Sequence, residues 1–137
     1  MRMHRSLRLY AIILLIFNGV SALAGGWAMI SKPDGSAIMM SVDILRYSPF
    51  MNFLIPGIIL FVLNGISSIL VSILSILRVK NYHLPVIFQG CVLTGWIIVQ
   101  LAMIRSIHVL HLIYGLTGIA LITLGLLIKK KDTPKVE

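Results

Sequence analysis

The chain has 137 residues, 58% of them hydrophobic, and a mean hydropathy of +1.01. Soluble domains rarely exceed about half apolar residues, and the apolar residues here fall in long blocks that leave no room for a separate soluble domain. Twelve Lys+Arg against four Asp+Glu give a net charge of +8. Those charges flank the blocks, which points to topology and anionic lipid headgroups and away from nucleic acid.

Each block is close to the ~20 residues a helix needs to cross a bilayer. The first expected span covers about 7–30 and follows Arg2, Arg5 and Arg8. A basic start, an apolar core and Ala22-Leu23-Ala24 also fit a signal peptide. A retained helix is the better expectation, because the apolar stretch continues through Trp27, Ala28, Met29 and Ile30. Lys32-Pro33-Asp34-Gly35 is a turn signal. From Ser36 to Ser48, Ile38, Val42 and Leu45 recur at helical spacing with Met39 beside them. Asp43 and Arg46 stand three apart, so they can pair. This pattern predicts a short helix lying in the membrane interface. Ser48-Pro49 ends it.

The second span covers about 50–77, with Pro56 either kinking it or marking a later start. Arg78 and Lys80 sit in a short loop that ends at His83. The third covers about 85–104, with Pro85 placed as a first helical residue. Arg105 and Ser106 make a tight turn into the fourth, about 107–128, and a polar tail fills 129–137. The whole chain, 1–137, is one membrane domain. The expected fold is all-α: a four-transmembrane-helix antiparallel bundle with a short interfacial helix between helices one and two.

Orientation follows from the basic residues. Arg2, Arg5, Arg8, Arg78, Lys80, Lys129, Lys130, Lys131 and Lys135 fall on one side, against Lys32, Arg46 and Arg105 on the other. That bias places both termini in the cytoplasm.

Inside lipid, helices associate through close packing of small residues and a few hydrogen bonds. At 100° per residue, Ala11, Asn18, Ala22 and Gly25 share a face of the first span, and Gly57, Asn64, Ser68, Ser72 and Ser75 share one on the second. Gln89, Trp96 and Gln100 line up on the third; His108, His111, Gly115, Gly118 and Gly125 do so on the fourth. Asn18 and Asn64 lie near mid-span, where an amide needs a partner. They are expected to bond to each other or to a neighbouring helix, at about 0.6–2 kcal/mol.

Little in the sequence supports chemistry. The single cysteine, Cys91, has no partner for an internal disulfide and belongs to no CxxC, which excludes quinone-linked thiol redox chemistry. It is read as a small packing residue. A bis-His haem needs ligands on different helices at one depth, and only His4 and His83, both at helix ends, come near that. His108 and His111 make an incomplete metal site, with Asp43 as the nearest carboxylate. No cofactor and no metal are expected. No Asp, Glu, Lys or Arg lies in the hydrophobic body of any span, which argues against a proton-coupled exporter. Asn, Gln and Ser can line a passive pore, but no filter-like motif is present. Ser106 near His108 lacks an orienting third group, and there is no phosphate-cradling loop or metalloprotease motif. No catalytic residue is assigned, and the protein is expected not to be an enzyme.

One constellation stands out. Trp27, Arg46, Asn52, Trp96, Gln100, His108 and His111 should all lie towards the outer leaflet. They form either an outward-facing pocket with aromatic walls, suited to a lipid or small amphiphile, or an aromatic belt with ordinary interfacial polar residues.

Three stretches carry a resemblance: Gly25-Gly26-Trp27 with Pro33-Asp34-Gly35, Ser48-Pro49-Phe50 with Ile55-Pro56-Gly57, and Gly95-Trp96-Ile97 with Gln100. Together they resemble a set of small four-helix bacterial integral membrane proteins, over roughly Leu7 to Ile128. The resemblance implies a bundle in the bacterial cytoplasmic (inner) membrane and brings no activity and no functional residues. The leading expectation is a non-enzymatic structural or accessory protein. The alternative is a binder or transporter of a lipid or small amphiphile, and a membrane enzyme using His108 or His111 is a weaker third class. Expected partners are membrane lipids and either a membrane protein or a second copy of the chain.

Overall fold

A computed structural model describes residues 2–105 and 109–132, the side chains over 4–105 and 109–131. Among these residues there are four long helices and no strand: α1 (Arg2–Ser31), α2 (Leu54–Ile76), α3 (His83–Ile104) and α4 (Val109–Asp132). All four are long and apolar enough to cross a bilayer, the make-up of a multi-pass membrane protein. They run up and down in turn as an all-α four-helix bundle.

Local chemistry sets the helix limits. α1 stops at Ser31 because Pro33 disfavours helix at the residue before it. α2 starts at Leu54 rather than Phe50. Asn52 Oδ1 accepts the Leu54 N–H at 3.0 Å, and Pro56 falls in the first turn, where its missing N–H costs nothing. Pro56 therefore marks a later start. At the other end of α2, Arg78 and Asn81 take left-handed backbone conformations that reverse the chain into α3. Arg105 does the same after α3, with φ 56°.

The loop 32–53 differs from the expected single helix. It forms two short 3₁₀ segments, Ser36–Ile38 and Val42–Leu45, separated by Met39 at φ 57°. The break has a visible cause. Gly35 O accepts the amides of both Ile38, at 3.2 Å, and Met40, at 3.0 Å, which curls the chain around it. Gly35 is itself at φ +86°, and a Cβ there would run into the Met40 carbonyl. Asp43 and Arg46 form no ion pair; the Asp43 N–H donates to Ser41 Oγ, and Arg46 lies over the Tyr47 ring. Phe53 N–H donates to Pro33 O at 2.9 Å and ties the loop's ends together. Leu45 and Phe53 fold inward against Met29, so the loop roofs one end of the bundle.

The helices pair as two hairpins held by close backbone approach. Between α1 and α2, a Cβ on Gly26 would lie 2.8 Å from the Phe61 amide nitrogen, and one on Gly65 would lie 3.1 Å from that of Leu23. Between α3 and α4, a Cβ on Gly90 would lie 2.8 Å from Gly118 O. The hairpins meet each other at the end carrying the termini. There Ala11, Leu15, Val71, Tyr82, Val86, Leu121 and Ile128 make a buried apolar core drawn from every helix.

A polar layer lies above this core. Part of α2, Leu60–Ile66, is wound as a π-helix, its last bond running from Ser67 N–H to Val62 O. The return to α spacing passes over one carbonyl, that of Leu63. Gln89 on α3 fills the gap: its Nε2 donates to Leu63 O at 3.0 Å, and its Oε1 accepts from Ser67 Oγ at 2.6 Å. Asn18 on α1 donates to Ser68 Oγ at 2.7 Å and to the backbone O of Asn64 at 3.4 Å. The two asparagine side chains therefore do not pair, and the Asn64 amide is buried with no partner among the described residues. Cys91 is exposed on the outer face of α3 instead of packing inside.

Candidate functional site

Beyond the polar layer the two hairpins separate, and a cavity of about 730 Å³ lies between them beneath the loop roof. That is within the range of roughly 300–1,000 Å³ common to small-molecule sites. α1 contributes Asn18, Ser21, Ala22, Gly25 and Met29. The roof contributes Ile38, Met40, Ile44 and Phe53, and α2 only Leu60. α3 supplies Leu93, Trp96, Ile97, Gln100 and Ile104; α4 supplies Val109, Leu110, His111 and Tyr114. The wall is therefore mostly apolar. Val109, Leu110 and Met40 are the lining residues most exposed in their own right, and they mark where the cavity opens.

The polar groups on the wall divide into occupied and unoccupied ones. Asn18 is spent on Ser68, and Ser21 Oγ donates back to its own helix at Phe17 O, 2.7 Å away. Tyr114 stacks on Phe17 with ring centroids 5.5 Å apart, which bridges α1 and α4 beside the cavity. Trp96 is different: it is 8% exposed, and its indole N–H is buried with no acceptor among the described residues. Leaving a buried donor unpaired costs about 1–3 kcal/mol, so most proteins avoid it.

No family model, curated protein or solved structure matches this chain. Its function must be read from this geometry.

Of the residues expected to form an outer pocket, Trp96, Gln100 and His111 do line the cavity. His108 lies outside the described residues. Trp27, Arg46 and Asn52 are not part of the lining. Trp27 comes two residues after Gly25, about 200° further round the helix. It is 61% exposed and leans on Phe61 at a centroid distance of 6.5 Å. Asn52 is used to start α2. Arg46 has its guanidinium carbon 4.9 Å from the Tyr47 ring centroid.

Met40, Ile44, Phe53 and Tyr114 line the cavity with no signal in the sequence that marks them as site residues. Arg105 reads as a turn residue, yet its guanidinium carbon lies 4.1 Å from the centroid of the same Tyr47 ring. Its one sequence signal is position: with Lys32 and Arg46 it completes the basic residues of that side.

Proposed function

We propose that this protein binds a lipid or small amphiphile in the cavity between its hairpins, as a non-enzymatic component of a bacterial cytoplasmic membrane. The observation that carries the reading is the cavity itself, an apolar chamber of about 730 Å³ in a bundle whose other end is packed. Inside a bilayer an apolar chamber open to the lipid phase does not stay filled with water; hydrocarbon is the solvent at hand. The Trp96 N–H, unpaired among the described residues, supports an amphiphile over plain hydrocarbon, because a ligand oxygen supplies the acceptor. The excess of basic residues beside the termini supports a cytoplasmic location for both, with the roofed cavity in the outer half of the membrane.

A structural or accessory role remains the competing reading, and the same measurement decides between the two. The full chain is purified in mild detergent and examined by native mass spectrometry, with extraction and identification of whatever is bound. One defined amphiphile per chain is expected, and a Gly25→Leu variant, whose new side chain enters the cavity, should lose it. Bare protein, or protein carrying only bulk lipid that Gly25→Leu leaves unchanged, would overturn the proposal in favour of the accessory role.

A further inference from the structure

Two cations share one aromatic ring in segments that flank the cavity lining in the chain. The guanidinium carbons of Arg46 and Arg105 lie 4.9 Å and 4.1 Å from the Tyr47 ring centroid, and so within about 9 Å of each other. They come from separate segments, Arg46 from the roof and Arg105 from the end of α3. Each follows a lining residue in the chain, Ile44 two positions before Arg46 and Ile104 one before Arg105. Among the described residues neither forms an ion pair. The roof's own acids are not placed to serve: Asp34 accepts the Ser36 N–H at 2.9 Å, and Asp43 does not reach Arg46.

This arrangement is not what the side's composition favours. Lys32, Arg46 and Arg105 are the only basic residues on this side of the chain, and two of them converge on a single ring. Two like charges brought together repel, and the ring quadrupole offsets that only in part. An anion between them removes the repulsion, and guanidinium groups match the oxygens of phosphate or carboxylate in paired hydrogen bonds.

We propose that the amphiphile is anionic, with its chain in the cavity and its phosphate or carboxylate headgroup held by Arg46 and Arg105 beside Tyr47. The inference rests on the cavity being an amphiphile site. It commits to a membrane-derived lipid, because the residues just before both arginines line an apolar chamber that a free anion would leave unfilled.

The test separates the two claims. Trp27→Phe leaves Trp96 as the sole tryptophan and a reporter in the cavity wall. Two brominated lipids with the same single chain, a monoacylglycerol and its phosphate ester, are titrated against this protein in detergent. Bromine on the chain quenches Trp96 when the chain occupies the cavity. The phosphate ester should act at about tenfold lower concentration, the scale expected of charge-assisted hydrogen bonds. Adding Arg46→Gln and Arg105→Gln should abolish that advantage while leaving quenching by the neutral lipid unchanged, which shows the cavity intact. Neutralising Lys129, Lys130 and Lys131 at the opposite end should leave it in place. Equal potency of the two lipids, or an advantage that survives the double arginine substitution, would overturn the headgroup assignment while the amphiphile site stood. Displacement of the lipid by an equal concentration of inorganic phosphate would likewise overturn it, in favour of a free anion. If neither lipid quenches Trp96, the amphiphile site itself fails.

Discussion

The two ends of this bundle are built on one stripe of α1 and finished in opposite ways. Ala11, Leu15, Asn18, Ala22, Gly25 and Met29 follow each other at alternating steps of four and three along the helix. At the terminal end of the stripe, Ala11 and Leu15 are fully buried against Val71, Val86 and Leu121. Past Asn18 the same stripe faces the cavity, and Ala22 and Gly25 leave space that nothing opposite fills. Close glycine contacts hold each hairpin together, α1 to α2 from mid-span to the roofed end at Gly19, Gly65, Gly26 and Gly57, and α3 to α4 from mid-span to the terminal end at Gly118, Gly90 and Gly125. The packed end and the hollow end thus differ in how hairpin meets hairpin, and the polar layer of Asn18, Ser67, Ser68 and Gln89 marks the boundary. Interfaces of this kind can be closed at one end and open at the other without strain, because no helix has to bend away from its own partner.

The largest effects should come from breaking the packed end. Leu121 is fully buried in its core, so Leu121→Ala should cost about 2–5 kcal/mol, read as earlier unfolding in a denaturant titration in detergent. Enlarging the two adjacent glycines of α1 sharpens the comparison. A Cβ on Gly26 meets backbone, 2.8 Å from Phe61 N and 2.9 Å from Gly57 O, so Gly26→Leu must push α1 from α2. The expected cost is about 1–3 kcal/mol or more. A Cβ on Gly25 meets only Leu60 Cδ2, at 3.6 Å, so Gly25→Leu should change stability by less than about 0.5 kcal/mol and act on ligand retention alone. If the two substitutions destabilised equally, the cavity would not be open space in the folded protein.

Much of the fold is legible in the sequence, because spans in lipid are set by length and apolarity, and their inward faces by small residues. Ala22, Ser68, Ser72 and Ser75 fall on inward faces by helical spacing, and all are buried. Gly25 and Gly115 share those faces yet make only loose contacts, whereas Gly26, one residue away, carries the close approach. A wheel projection cannot separate these, since its arc spans both the partner helix and the cavity edge. The roof was not legible either. Ile38, Val42 and Leu45 are spaced for a helix, but the doubly accepting carbonyl of Gly35 curls the chain at Met39. The cavity is a matter of what fails to meet across two hairpins, and no single helix encodes that. Trp96, Gln100 and His111 could be picked out because they sit on the inward faces of their own helices. The pairing of Arg46 with Arg105 could not, because it joins two segments far apart in the chain.

The two mid-span asparagines sharpen the boundary further, since identical residue types should respond with opposite sign. Asn18→Leu removes a bond to Ser68 Oγ of 2.7 Å and should cost about 0.6–2 kcal/mol. Asn64→Leu removes an amide with no partner among the described residues, while the Asn64 backbone carbonyl that Asn18 uses stays in place. It should be neutral or stabilising by up to about 1 kcal/mol, because deleting an unpaired buried polar group removes its desolvation cost. Parallel unfolding titrations of the two variants check the signs; a clear loss for Asn64→Leu would show that its amide has a partner in the membrane.

The smallest expected effect lies in the roof, at Asp34. The backbone N–H of Ser36 donates to Asp34, first among the causes that hold this carboxyl below its ordinary value of 3.8; the Ser36 hydroxyl and Lys32 act in the same sense. A depressed folded pKa means that the charged form favours the folded roof. Its contribution is complete above the ordinary value and is lost as the pH falls below it, through the lowered pKa of the folded state. Asp34 is fully exposed, so solvent screens the effect and the bundle as a whole should not respond. Local opening should. Amide exchange at Ser36 and Met40 is expected to quicken on acidification across that window, beyond the trend of exchange chemistry measured at Leu15 in the packed end. Asp34→Asn keeps an oxygen acceptor for Ser36 without the charge, so it should abolish the pH dependence while leaving the turn formed. An acid response that persisted in Asp34→Asn would assign it to another group. A response shared equally by Leu15 would show that roof and core open together, and that the two ends of the bundle are one cooperative unit after all.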